Sequence, residues 1–270
     1  MVFMKRIEID GAHLEISHIA VPDATRPRAP IVFLHEGLGS VAMWRDWPTI
    51  LCRATGRAGW VYSRRGCGRS DPVPDVRGAP SLVDGVRRGR LQPDYMHHEA
   101  WTVLPALLQR LGLVQPVLLG HSDGASIALI HASRFPLTAC VAMAPHVMVE
   151  DVSIQSIEQA RRAFETTDLR QRLARYHADV DCAFWQWNDA WLSAAFRGFD
   201  IRRDCRNIGA PVLALQGSED PYGTPAQIEQ IDLPQTQLTR CMIGECGHSP
   251  HRDQPGRTTQ LIADFLAPLK

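Results

Sequence analysis

The segment that most constrains the fold runs from Pro116 to Ile130, where the apolar run Pro116-Val117-Leu118-Leu119 passes through Gly120-His121-Ser122-Asp123-Gly124 into the helix-like Ala125-Ser126-Ile127-Ala128-Leu129-Ile130. A strand can enter a helix over so few residues only through a sharp turn. The two glycines remove the side chains that would clash where strand and helix backbones approach. Such a turn forces strained backbone on its apex, Ser122, and stands that side chain at the end of a sheet.

Around this unit, strand and helix patterns alternate. Alternating segments at 6–10 and 13–18, separated by Gly11, predict an N-terminal hairpin. A Pro-rich connection, 21–30, leads into Ile31-Val32-Phe33-Leu34, an apolar strand of the kind buried on both faces. There follow a predicted helix at 44–55, a strand at 59–63 and an irregular Gly/Pro/Arg-rich stretch at 64–93. An amphipathic helix at 96–111 is stopped by Gly112, and a strand is predicted at 138–144. Strands alternating with helices predict a mostly parallel sheet with helices on both faces.

Between 145 and 209 the alternation stops. Helical patterns at 153–165 and 168–176 and an aromatic-rich run at 184–196 occur there without a convincing strand. Alternation resumes with a strand at 211–215, a short segment at 224–231, a strand at 238–243 and a helix at 255–265. The expected organisation is therefore a core from 1–145 and 210–270 interrupted by a helical cap, or lid, at 146–209.

A chain of 270 residues, 45% of them hydrophobic, can bury one large α/β core. Lys+Arg and Asp+Glu both number 29, with no long single-sign run, which argues against nucleic acid and membrane partners. The first ten residues lack the pattern of a signal peptide, and no apolar run reaches membrane-spanning length. Seven scattered cysteines without a C-x-x-C pair read as free thiols of a cytoplasmic protein. The expected partner is a small-molecule substrate, met by a monomer or homodimer.

A serine hydroxyl becomes a useful nucleophile when a base takes its proton and a third group orients that base. In Leu215-Gln216-Gly217-Ser218-Glu219-Asp220-Pro221 a buried strand runs into two acids at its end, and Asp220 is the choice for the orienting group, with Glu219 its rival. The base is sought after the last strand, in Cys246-Gly247-His248-Ser249-Pro250-His251. His248 follows a glycine that lets the backbone turn, and His251 falls at the surface or behind the site. Two backbone N–H donors must also face the oxyanion of a tetrahedral intermediate. Asp123, at the helix start, supplies one; the loop His35-Glu36-Gly37-Leu38-Gly39-Ser40 supplies the other, from Gly37 or from Leu38.

These segments, together with Tyr62-Ser63-Arg64-Arg65-Gly66-Cys67-Gly68-Arg69-Ser70-Asp71, resemble the α/β-hydrolase fold superfamily over nearly the whole chain. The resemblance implies a twisted, mostly parallel sheet of about eight strands, a helical cap after the sixth, and an acyl-serine intermediate. By position it makes Ser122 the nucleophile, Asp220 the acid and His248 the base, chemistry that needs no cofactor, and no His or Cys spacing in the chain points to a metal. Many relatives have His-Gly at the oxyanion loop, whereas here Glu36 follows His35 and sets a carboxylate at the mouth of the site. A serine at the apex also excludes the aspartate-based dehalogenases of this fold.

Phe184, Trp185, Trp187, Trp191, Phe196 and Phe199 crowd the expected cap. Packing explains most of these rings; Trp185, Trp187 and Trp191, with Glu36 and Leu38, are the candidates for lining a substrate pocket. Arginines 161, 162, 170, 172 and 175 recur at helical spacing, as on a solvated face. The leading expectation is a serine hydrolase for a small or medium carboxylic ester, thioester or lactone. The alternatives are a carbon–carbon bond hydrolase of an aromatic ring-cleavage product, a ligand receptor with vestigial hydrolysis, and a cofactor-free perhydrolase.

Overall fold

The computed structural model describes residues 2–21, 28–83 and 86–269. Eight strands form its main sheet, numbered here in chain order: β1 (Val2–Ile9), β2 (Ala12–Ile19), β3 (Ile31–Leu34), β4 (Gly59–Tyr62), β5 (Val117–His121), β6 (Ala139–Met143), β7 (Val212–Gly217) and β8 (Leu238–Ile243). Their order across the sheet is β1-β2-β4-β3-β5-β6-β7-β8. The β1–β2 hairpin and the β2–β4 pair are antiparallel. All other neighbours run parallel, as strand–helix alternation requires. This is the α/β-hydrolase architecture.

The strands at the centre are apolar in both directions because helices cover both faces. Val32, Leu34, Leu118, Ala142 and Val212 pack on one side with Leu104, Leu107 and Ile127. Ile31, Phe33, Leu119, Val141 and Leu213 alternate with them and pack on the other side with Trp47, Leu51 and Ile262. The helix Asp123–Ala132 is buried at every position, which explains why it is apolar nearly all round.

Several expectations are corrected. The helix expected at 44–55 is broken at Arg45, which has φ 55°; Val41–Trp44 forms one tight turn and the helix proper is Trp47–Thr55. Pro48 is tolerated only in a first helical turn, so it sets the start near Trp47. The helix expected at 96–111 is Tyr95–His98 and Leu104–Arg110 joined by a widened π turn at Glu99–Val103. Pro105 offers no N–H to the carbonyl four residues back, and its ring crowds that carbonyl, so the turn before it opens. The irregular stretch 64–93 contains a small hairpin of Ser81–Val83 and Val86–Arg88. Residues 22–27 of the Pro-rich connection lie outside the described residues.

Between β6 and β7 the chain forms helices Asp151–Thr166, Leu169–Leu173 and Val180–Trp191 and a short turn Ala195–Gly198. Met148 and Asp200 pair as an isolated antiparallel bridge at the base of this excursion. Arg161 and Arg170 pair with Glu165 and Asp181 on its exposed side. No helix among the described residues is long and apolar enough to cross a membrane.

At the turn itself Ser122 has φ 53° and ψ −120°, left-handed backbone that costs about 1–3 kcal/mol for a non-glycine residue. A Cβ on Gly120 would strike the carbonyl oxygen of Gly124, and one on Gly124 would strike that of Leu34. Gly124→Ala therefore runs against helix propensity: alanine is the better helix former, yet the variant is expected to lose about 1–3 kcal/mol from forced separation of helix and β3. A urea unfolding midpoint equal to or above that of the parent protein would overturn the close-approach account.

Candidate active site

The turn after β7 and the loop after β8 bring an acid and an imidazole together. Nδ1 of His248 lies 2.9 and 2.8 Å from Oδ1 and Oδ2 of Asp220, so Nδ1 carries the hydrogen and donates it to the carboxylate. Asp220 accepts further bonds from the Tyr222 N–H at 2.8 Å and the Gln216 amide at 2.7 Å. Its side chain is 1% exposed. Burial by itself would raise this carboxyl, but the hydrogen bond and charge of His248, with the Tyr222 N–H, outweigh burial and hold it below the ordinary range. The neighbouring Glu219 is exposed, so the structure separates the two rival acids by burial.

Ser122 and His248 line a single cavity of about 620 Å³, its open mouth included, with Trp187, Trp191, Tyr222 and His146 among its walls. The rings of Tyr222 and His146 lie 4.6 and 5.8 Å from that of His248, centroid to centroid. Burial drives His146 down to about 3, so it is a neutral wall at ordinary pH. With Nδ1 of His248 taken by Asp220, Nε2 is the nitrogen free to exchange a proton with a hydroxyl.

Asp123, the first residue of the turn helix, has a buried side chain as well. Its carboxylate is buried, accepting from the Tyr95 hydroxyl at 2.6 Å and the Trp191 indole N–H at 3.2 Å. Arg64 stands 3.9 Å away, its guanidinium donating to the carbonyls of His35 and Glu36 at 2.5 and 2.9 Å. Burial raises the Asp123 carboxyl, and Arg64, Tyr95 and Trp191 offset only part of that. Asp123 thus ties the start of the turn helix to the segment 146–209 and, through Arg64, to the 35–39 loop. Gly37 and Leu38 line the cavity, and a Cβ on Gly37 would collide with the Trp187 ring. His177 accepts from the Gly68 N–H at 3.0 Å and donates to the Leu38 carbonyl at 3.0 Å, fixing that loop from the same segment.

Glu36, the departure from the usual loop, is held rather than free. Oε2 lies 3.4 Å from Nδ1 of His121, and Arg252 donates to Oε1 at 3.2 Å. The other nitrogen of His121, Nε2, donates to the His248 carbonyl at 2.7 Å. One carboxylate therefore links the 35–39 loop, the residue before Ser122, and the loop that carries His248. Burial would raise Glu36, but the hydrogen bond and charge of His121, with the charges of Arg252 and His251, hold it well below the ordinary carboxylate range.

One sequence expectation fails here. Trp185 lines neither this cavity nor the cleft beside it; it packs on Phe184 and Phe164 under the Arg77 guanidinium, 3.9 Å from its ring centroid. On a helix it points away from the face that carries Trp187 and Trp191. Of the two places expected for His251, the structure gives the one behind the site: it is buried against Trp44, Trp47 and His121. Tyr95, His121, Gln216 and Tyr222 were missed. Gln216 and His121 carried a usable signal, being polar residues at the ends of otherwise apolar buried strands; Tyr95 and Tyr222 carried none.

The family model described as the alpha/beta hydrolase family matches residues 31–261, and the chain belongs to that family. Among proteins similar to it, the sn-1-specific diacylglycerol lipase of Mus musculus is 25% identical over 276 residues, covering 91% of this chain and 82% of that protein. The 2-hydroxy-6-oxo-2,4-heptadienoate hydrolase of Pseudomonas putida is 25% identical over 274 residues, covering 88% of this chain and 89% of that one. A crystal structure of proline iminopeptidase from Mycobacterium smegmatis superposes with a TM-score of 0.72 at 17% identity over 98% of each chain, a likeness that shows the fold.

Glu36→Gln tests the linking carboxylate through its pH dependence. A depressed carboxyl contributes stability that is present above its unfolded value and lost as pH falls through its folded value. The variant is expected to be less stable than the parent at pH 7 by about 1–3 kcal/mol, with the gap beginning to close below about pH 4.5, the ordinary value for glutamate. Urea titrations between pH 7 and pH 3 that show a constant gap, or none, would overturn this role.

Proposed function

We propose that this hydrolase is a serine hydrolase that cleaves a small or medium carboxylic ester, thioester or lactone through an acyl-serine intermediate. The observation that carries the reading is His248, hydrogen-bonded to Asp220, lining the same cavity as Ser122 on its strained turn. Ser122 Oγ attacks the substrate carbonyl carbon while His248 Nε2 takes its proton, and Asp220 stabilises the imidazolium. The oxyanion is received by the backbone N–H of Asp123, the first residue of its helix and so without a partner inside it, and by that of Gly37 or Leu38. His248 then gives its proton to the departing alcohol, thiol or ring oxygen. A water deprotonated by His248 attacks the acyl carbon, and the acid leaves as Ser122 regains its proton.

In this reading, residues 146–209 are the cap, and Trp187 and Trp191 present an apolar wall to the acyl group and exclude water. The substrate is a small molecule, met by a monomer or homodimer. Seven free cysteines favour a cytoplasmic setting.

Ser122→Ala is expected to abolish turnover of p-nitrophenyl esters while far-UV circular dichroism and the unfolding midpoint stay close to the parent's. Undiminished turnover would sink the proposal, and a vinylogous diketone outrunning every ester in a substrate panel would reassign the chemistry to carbon–carbon cleavage. In Asp220→Asn the imidazole loses the carboxylate that fixes its tautomer and stabilises its charge, so kcat should fall by about 1,000- to 10,000-fold. A loss of only a few-fold would remove Asp220 from the mechanism.

A further inference from the structure

A second cleft, of about 780 Å³ with its open mouth included, lies beside the Ser122 cavity. Gly37, Asp123 and Trp187 line both, so the two are contiguous around the proposed oxyanion donors. Its far wall comes from the Arg-rich stretch after β4, including Arg65, Arg87 and Arg90, and Gln186 reaches it from the helix Val180–Trp191. A substrate whose carbonyl sits at Ser122 can therefore extend an arm into it.

The charges in this cleft are unevenly satisfied. Each acid on its wall has a partner: Glu99 accepts from the Tyr62 hydroxyl at 2.8 Å, Asp123 from Tyr95 and Trp191, and Asp10 pairs with His98 at 2.9 Å. Arg64 is spent on two carbonyls and Asp123. Arg87 pairs with Asp94 at 3.2 Å. Arg65 is different: its Nε donates at 3.4 Å to the Pro72 carbonyl, and among the described residues its terminal nitrogens have no hydrogen-bond partner and no carboxylate lies within ion-pair distance. Arg90 donates to the Arg77 carbonyl at 3.3 Å and reaches Asp189 at 3.6 Å, but its buried Nε has no partner among the described residues. Burial also pushes the Arg65 guanidinium down, with Asp10 and Asp71 offsetting part of the effect, so a bound anion would relieve a desolvated cation.

We propose that this cleft binds a carboxylate on the substrate arm remote from the cleaved bond, with Arg65 as its main ligand and Arg90 as the second. A carboxylate presents two coplanar oxygens to the fork of a guanidinium, a match that an alkyl or ammonium group lacks. The preferred substrates are thus half-esters, thioesters or lactones of dicarboxylic acids. The reaction in this statement rests on the serine hydrolase reading; the carboxylate site does not.

Binding and turnover separate the two. In Ser122→Ala protein, calorimetric titration with glutarate, adipate and pimelate is expected to show binding that weakens about 10-fold or more when Arg65→Gln is added, and that stays unchanged with Arg172→Gln, an exposed arginine paired with Asp168 on the segment 146–209. With Ser122 intact, mono-p-nitrophenyl esters of those acids should exceed neutral acyl esters of equal length by about 10-fold or more in kcat/KM, a ratio that falls toward unity in Arg65→Gln. Arg65→Lys, which keeps the charge without the fork, should lie between, and carries the test if Arg65→Gln does not fold. No dicarboxylate binding, equal binding after Arg65→Gln, binding of inorganic phosphate alone, or preference for amine-terminated esters would each overturn the carboxylate site. Arg65-dependent binding with no Ser122-dependent turnover of any ester would sustain the site and overturn the hydrolase reading.

Discussion

The contact on which the rest of the structure depends is the near-touching of the turn helix and β3, where Gly124 passes the carbonyl of Leu34 with no room for a Cβ. Because the helix sits that low on the sheet, its N-terminus opens beside the 35–39 loop that leaves β3. The register reinforces this, with Leu34 opposite Gly120 and Gly120 opposite Ala142, so three strands end level at the site. The strained φ at Ser122 persists because buried packing along the whole helix over-determines it.

Around that contact the protein uses buried charge to fix loops that have few apolar anchors. Asp123 and Arg64 join the turn, the 35–39 loop and the segment 146–209, while Glu36 joins that loop to His121 and to the backbone of His248. Buried ion pairs are poor sources of net stability, because desolvation offsets their attraction. They specify geometry well, since breaking one leaves an uncompensated charge. The neighbouring cleft follows the opposite rule: Arg65 is half-buried, and no acid among the described residues lies within ion-pair distance of it.

Much of the fold was legible because its signals are local. Glycines bracketing Ser122, the apolar runs at 31–34 and 211–215, and the loss of alternation between 145 and 209 each report on a few adjacent residues. The misreadings arose where local pattern was cut by a single residue or depended on distant neighbours. Pro105 opened a helix whose apolar spacing runs on unbroken, and Trp185 differs from Trp187 only in which side of one helix meets the cavity.

The sequence by itself determined the architecture and the residue types able to do chemistry, because periodicity and turn glycines act through the chain's own backbone. It chose Asp220 with Glu219 left as its rival, and it could say of Glu36 only that a carboxylate stands near the mouth. Tertiary structure decided that Asp220 turns inward to His248, that Glu36 is held by His121 and Arg252, and that Arg65 has no acid within ion-pair distance among the described residues. Those outcomes depend on partners far apart in sequence, 28 residues away for His248 from Asp220 and 216 for Arg252 from Glu36, and only the folded chain sets which charges meet.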